Sequence, residues 1–139
     1  MKTSTYPEIE IFKKSWDEDT TRLMGKIDLA VPMESIKGGV DRGEISLYEM
    51  KADGLSIGIF LVRIEQLWGG IPELAILYGA AESKIKVPFT SLAAPFIEQI
   101  AREAGVKSIR IHSERKGLDA IAEENGYKFL ESVFRKRLE

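Results

Sequence analysis

Residues 72–81, PELAILYGAA, read as a strand, and 91–105, SLAAPFIEQIAREAG, as an amphipathic helix. Residues 106–113, VKSIRIHS, make a second strand and 115–126, RKGLDAIAEENG, a second helix. This stretch, Pro72 to Gly126, decides the fold. Two strands joined through a helix can lie parallel, because the crossover returns the chain to the end from which it started. Leu92, Phe96, Ile97, Ile100, Ala101 and Ala104 form the apolar stripe of the first helix, which Thr90 or Ser91 caps and Gly105 ends. Pro95 is expected in its first turn, where a missing N–H costs least. Ile109 and Ile111, with Val106, turn inward from the second strand. The second helix, Lys116 to Asn125, buries Leu118, Ile121 and Ala122.

Upstream of this unit the pattern is strand, helix, helix, then a meander. Ile9 and Ile11 alternate with Glu8 and Glu10 over a short half-buried strand, Glu8 to Phe12. Ser15 and Glu18 have the spacing of a capping box, and Asp17, Glu18 and Asp19 suit the positive end of a helix dipole. Trp16, Leu23, Met24, Ile27 and Val31 fall on one face of the helix that follows, as core packing. Pro32 can open a second helix, with Met33 and Ile36 inward and Gly38-Gly39 as its end. These glycines follow a helix and match no phosphate-binding spacing, so they read as turn punctuation. EISLYEMK (44–51) and LSIGIFLVRIEQL (55–67) flank Asp53-Gly54, a strong hairpin signal. The second of these strands is apolar on both faces near Ile57 to Leu61 and is therefore central. Gly58 within it marks a bulge or a close neighbour. Trp68-Gly69-Gly70 turns the chain into Pro72.

Composition narrows the function classes. At 139 residues the chain is expected to form one domain, 1–139, and 44% hydrophobic with 30% charged residues is ordinary for a globular fold. A net charge of -2 argues against bulk attraction to nucleic acid or anionic lipid. Without cysteine there is no disulfide framework, thiolate metal site or cysteine nucleophile, and His112, the single histidine, leaves no two-histidine zinc site, so no metal is expected. No apolar run reaches about 18 residues and residues 1–10 lack a signal-peptide core, which places the protein in the cytoplasm with no membrane partner.

The order strand, two helices, three-strand meander, helix, strand, helix, strands resembles the GNAT N-acetyltransferase superfamily over nearly the whole chain. The most specific part is the run from the 91–105 helix through VKSIRIHSERKGLDAIAEENG to Gly126-Tyr127, which opens the next strand. A narrower likeness, through the ELAIL strand and the Arg115-Lys116-Gly117 turn, is to divergent GNAT-like proteins of phage and prophage genomes. The resemblance implies an α+β fold: one mixed, mostly antiparallel sheet of about six or seven strands, with about four helices on both faces. It implies acetyl transfer from acetyl-CoA to the amine of a small molecule or protein. It also implies homodimerisation through the last strands, YKFLE (127–131) and SVFRKRLE (132–139), the second of which offers an edge.

The same resemblance distributes roles along the chain. The pantetheine would add like a strand to Leu77, Tyr78, Gly79 and Ala80. Amides of Ser91, Leu92 and Ala93, with Lys84 and Lys86, would meet the pyrophosphate. Glu73, at the start of the same strand, is the candidate base, with Glu82 the second choice. Each charge also has a plainer reading, as a solvated strand-end or loop residue, and the same holds for His112, Arg110 and Arg115. Two departures from the family pattern stand out. The loop Ala81 to Ser91 has no glycine where the family has a glycine-bearing phosphate loop. Ala122 occupies the position of the tyrosine that protonates the leaving thiolate. These departures motivate a second expectation, a catalytically inactive accessory or interaction protein on the same scaffold.

Overall fold

The computed structural model describes residues 8–27, 29, 31–66, 69–82 and 89–111. In chain order its elements are β1 (Ile9–Lys13), α1 (Glu18–Met24), α2 (Met33–Asp41), β2 (Ser46–Ala52), β3 (Leu55–Gln66), β4 (Pro72–Ala81), α3 (Phe89–Glu103) and β5 (Ile109–Ile111). The strands form one sheet in the order β1-β2-β3-β4-β5. The first four are antiparallel to their neighbours, and β5 runs parallel to β4. This is the mixed, mostly antiparallel α+β sheet expected. The described residues hold five strands and three helices, fewer than the six or seven and four anticipated. The helix expected over 116–125 and the two closing strands fall outside them.

Local chemistry accounts for the meander. Asp53 and Gly54 take φ of 50° and 83° and join Ala52 to its partner Leu55, which is a two-residue turn whose twist matches that of the strands. Gly69 and Gly70, at φ 85° and 80°, make the next turn. Gly58 does lie at an irregularity. Met50 pairs with Gly58 but Lys51 pairs with Ser56, so Ile57 is an extra residue in β3.

Two apolar layers cover the sheet. Leu23, Met24, Ile36, Ile45, Leu47, Ile59, Leu61 and Ala80 pack together on the face that carries α1 and α2. Met50, Phe60, Val62, Leu74, Ala93, Ile97, Ala101 and Val106 pack on the face that carries α3. The aromatic rings of Tyr48 and Phe60 stack at 5.3 Å on that second face.

The helix ends differ from expectation, each for a visible reason. Asp17, not Ser15, caps α1: its carboxylate accepts from the Thr20 amide and hydroxyl, each at 2.8 Å. Helix α1 stops at Met24 with Gly25 as its cap, so Val31 does not share its stripe and is 47% exposed. Helix α2 passes through Gly38 and Gly39 to Asp41, and the chain turns at Gly43, φ 77°. Gly39, inside the helix, leaves room for Ile45: a Cβ there would come within 2.6 Å of Ile45 Cδ1. Helix α3 opens at Phe89, before either expected cap, which puts Pro95 seventh in the helix and outside the first turn. Pro95 and Ala104 are exposed, while Ala93 and Ala94 are buried, so the inward stripe is rotated toward the alanines.

Candidate functional site

Strand β4 changes character halfway along. Leu74 and Ile76 pack toward α3, as residues two apart on a strand should. Regular alternation would send Tyr78 and Ala80 the same way, yet both lie against the α1–α2 layer. The cause is a bulge: Val62 pairs with Ile76 but Leu61 pairs with Tyr78, leaving Leu77 extra. A bulge leaves its extra residue out of the ladder and bends the strand. Among the described residues, which end at Ile111, the β4–β5 ladder covers Leu74, Ala75 and Ile76. From Leu77 to Ala81, β4 pairs with β3 on one side, and no described strand lies on the other.

That stretch contains Leu77, Tyr78, Gly79 and Ala80, the four residues expected to meet the pantetheine. Leu77 and Tyr78 are half-buried, Gly79 is exposed and Ala80 is buried. The chain then leaves the sheet through Glu82, whose amide donates to the Ile57 carbonyl at 2.9 Å. The next described residue is Phe89, the first of α3, so Lys84 and Lys86 lie outside the described residues. A helix that opens at Phe89 leaves the amides of Phe89, Thr90 and Ser91 without intrahelical acceptors, whereas those of Leu92 and Ala93 belong to the ladder. Ala93 is moreover 2% exposed, packed beneath the helix.

Glu73 lies four residues before the bulge, about 13 Å along the strand. It is 4% exposed and heavily engaged. Ser108 Oγ donates to its Oε2 at 3.0 Å, and Arg110 Nε lies 3.3 Å from its Oε1. That last pair is an ionic contact without hydrogen-bond alignment, since neither atom has a hydrogen-bond partner. Arg110 also donates to Glu65, the register partner of Glu73 on β3, and Glu65 accepts from Arg63 as well. Glu73 is therefore held in place by β5 and not pointed at an open site.

Glu82, the second candidate, is also committed. Arg22 of α1 grips it with Nη2 at 2.5 Å from Oε1 and Nη1 at 3.5 Å from Oε2. That hydrogen bond, outweighing some burial, holds the Glu82 carboxyl below its ordinary range. His112, Arg115 and Ala122 lie outside the described residues. Among the described residues no cluster of three or more acidic or histidine side chains could hold a metal ion, and no helix is long and apolar enough to cross a membrane.

The sequence did not disclose the Leu77 bulge or the Glu65–Arg110–Glu73 network. A bulge inside LAIL leaves no trace, because every residue around it is apolar. The network had a partial signal in the isolated charges at 63, 65, 73 and 110, but their convergence depends on strand register.

No protein-family model and no curated protein sequence matches the chain. Solved structures do match. An acetyltransferase from Trypanosoma brucei superposes with a TM-score of 0.70 at 18% identity, over 94% of this chain and 100% of the other. The ribosomal-protein-alanine N-acetyltransferase of Brucella melitensis biovar Abortus 2308 gives 0.73 at 10% identity, over 95% and 100%. AAC(6')-Iy, in complex with the bisubstrate analogue CoA-S-monomethyl-acetylneamine, gives 0.70 at 11% identity, over 95% and 99%. With the parallel β4–β5 pair, the crossover α3 and the strand order, these likenesses show that the chain has the fold of the GNAT acetyltransferases.

Proposed function

We propose that the protein is an acyl-CoA-dependent N-acetyltransferase acting on an amine acceptor, with acetyl-CoA bound along Leu77 to Ala80. The observation that carries this is the bulge at Leu77, in the second half of a β4 that pairs in parallel with β5 across the α3 crossover. Extended backbone of that kind offers amides and carbonyls to a ligand that itself carries amides, as pantetheine does. Acetyl-CoA supplies an acyl carbon activated as a thioester, and transfer makes one C–N bond and breaks one C–S bond.

The chain's own contribution is positional and electrostatic. The amide released by the Leu77 bulge is a ready donor for an oxygen on which charge builds up, and a fixed donor there favours the transition state over the ground state. The amides of Phe89, Thr90 and Ser91, at the positive end of a fifteen-residue helix, suit phosphate oxygens, with Lys84 and Lys86 in the preceding loop adding charge. Leu92 and Ala93 then support that helix opening more than they contact an anion. Glu73 takes the amine proton in this scheme only by giving up the Arg110 pair, so Glu73→Gln is the informative variant.

A second reading, a scaffold of this fold without the chemistry, is favoured by one observation: both candidate carboxylates, Glu73 and Glu82, are tied up by arginines. The phage-type likeness carried by Arg115-Lys116-Gly117 fits either reading. Thermal unfolding with millimolar acetyl-CoA tests the first step. Binding at about 100 times Kd adds roughly 2.7 kcal/mol, which raises Tm by several degrees in a domain of this size. No shift at all rules out the enzyme and leaves the scaffold.

A further inference from the structure

Helix α3 is fastened at one end and loosened toward the other. At its C-terminus Gly105, φ 75°, takes the left-handed turn. The Gly105 amide donates to the Arg102 carbonyl and the Val106 amide to the Ala101 carbonyl, each at 3.1 Å, which closes the last turn. Ile97, Ala101 and Val106 are buried beneath this half. On its exposed side Gln99 Nε2 donates to Glu103 Oε1 at 3.1 Å.

The opening segment, Phe89 to Ala94, is joined to that half through Pro95. Proline has no N–H, so the helical bond from residue 95 to the Ser91 carbonyl is missing, and the pyrrolidine ring crowds that carbonyl. Among the described side chains of the segment the buried ones are two alanines, Ala93 and Ala94, which offer little apolar area. Pro95 itself is exposed, so core packing does not offset its cost to the helix. A local rule broken without such compensation tends to mark a functional place in a fold.

We infer that Pro95 is a hinge, which lets the opening turns of α3, Phe89 to Ala94, open and close as a unit while the rest of the helix stays docked. The inference rests on the acyl-CoA reading in one respect: the amides at that opening are the ones assigned to the cofactor's phosphates. The chain leading into them, from Ala81 to Ser91, contains no glycine. The close backbone approach that glycine permits is therefore not supplied there. A helix opening that shifts by itself supplies the adjustment from the other side. An uninterrupted helix would instead hold its first turn wherever the docked half places it. Segments that move on binding are drawn from the least stable parts of a fold for this reason.

The test compares wild type, Pro95→Ala and Pro95→Gly. Amide hydrogen exchange is followed with and without acetyl-CoA, and affinities are measured for acetyl-CoA and for acetyl-pantetheine, which lacks the phosphates. Both variants restore the missing N–H, so each is expected to fold, and Pro95→Ala should raise Tm because alanine is the better helix former. In wild type the amides of Leu92, Ala93 and Ala94 should exchange about tenfold faster than those of Ile97 to Ala101, and saturating acetyl-CoA should slow them by about the same factor. Pro95→Ala should abolish the difference without ligand. It should also weaken acetyl-CoA binding about three- to tenfold while acetyl-pantetheine affinity stays within about twofold. Pro95→Gly, which keeps the joint pliable, should recover most of that loss. Uniform exchange along α3 in wild type, or a difference that survives in Pro95→Ala, overturns the hinge. Unchanged or tighter acetyl-CoA binding in Pro95→Ala, or an equal loss for acetyl-pantetheine, overturns its part in holding the phosphates. If wild type does not bind acetyl-CoA the functional proposal fails, and exchange without ligand decides the hinge by itself.

Discussion

The first half of β4, Pro72–Ile76, and the second, Leu77–Ala81, share one backbone and one partner in β3 but differ on their other side. The first half has β5 beside it, α3 against Leu74 and Ile76, and a buried ionic network on the opposite face. The second half has the bulge and the α1–α2 layer against Leu77, Tyr78 and Ala80. The same strand is thus regularly paired where it begins and bulged where it ends. A ligand that adds to a sheet needs both: backbone groups released from the ladder and a sheet that does not shift when they are engaged.

The largest effect should come from breaking the regularly paired half. Leu74 is 1% exposed in the α3 layer, so Leu74→Ala should cost about 2–5 kcal/mol by urea unfolding. The bulged half should behave in the opposite way. Deleting Leu77 restores regular pairing without changing the face taken by Ile76 or Tyr78. Folding should survive it, while the stabilisation of roughly 2.7 kcal/mol by acetyl-CoA near 100 Kd disappears from the melting curve. If the deletion unfolds the protein, the two halves are not separable as described.

Two smaller changes sharpen the contrast from the α1 side. Asp17→Ala removes the α1 cap and should cost about 1 kcal/mol. Burial alone would raise the Asp17 carboxyl, but hydrogen bonds from the Thr20 amide, the Thr20 hydroxyl and Lys14 outweigh it, so its pKa lies below the ordinary 3.8. A depressed carboxylate stabilises the fold above its unfolded value and loses that contribution as pH falls through the folded one. The penalty of Asp17→Ala should therefore be full at pH 7 and shrink below about pH 4. Arg22→Met, which releases Glu82 at the far end of β4, should leave Tm unchanged, because the pair is solvent-exposed. Any change in acetyl-CoA affinity would show instead that this tip belongs to the ligand edge.

Most of the scaffold was legible in the sequence, since strand alternation, Asp53-Gly54 and the apolar stripe of α3 each encode an element locally. Helix ends were less so. Asp17 outcompeted Ser15 because it can reach Thr20, and Gly39 serves close packing by Ile45 within the helix, not helix termination. The candidate site was half legible. Leu77 to Ala80 lie at and beyond the bulge of β4, which apolar residues on every side concealed. Glu73 was correctly located at the strand start, but its partners come from residues 35 and 37 positions away on β5 and from β3. Pairings at that range are decided by register, which no local pattern reports.

The crossover has a consequence in time as well as in space. Strands β1 to β4 are joined to their sheet neighbours in sequence order, with turn residues at Asp53-Gly54 and Gly69-Gly70, whereas β5 reaches β4 across the whole α3 crossover. Contacts that close long loops tend to come late, after the transition state for folding has passed. Substitutions at Arg110 and Glu73 should accordingly steepen the unfolding rate while leaving the refolding rate nearly untouched, visible as one displaced arm of a denaturant chevron. The pair that ties β5 to β4 would then govern how long a folded molecule lasts.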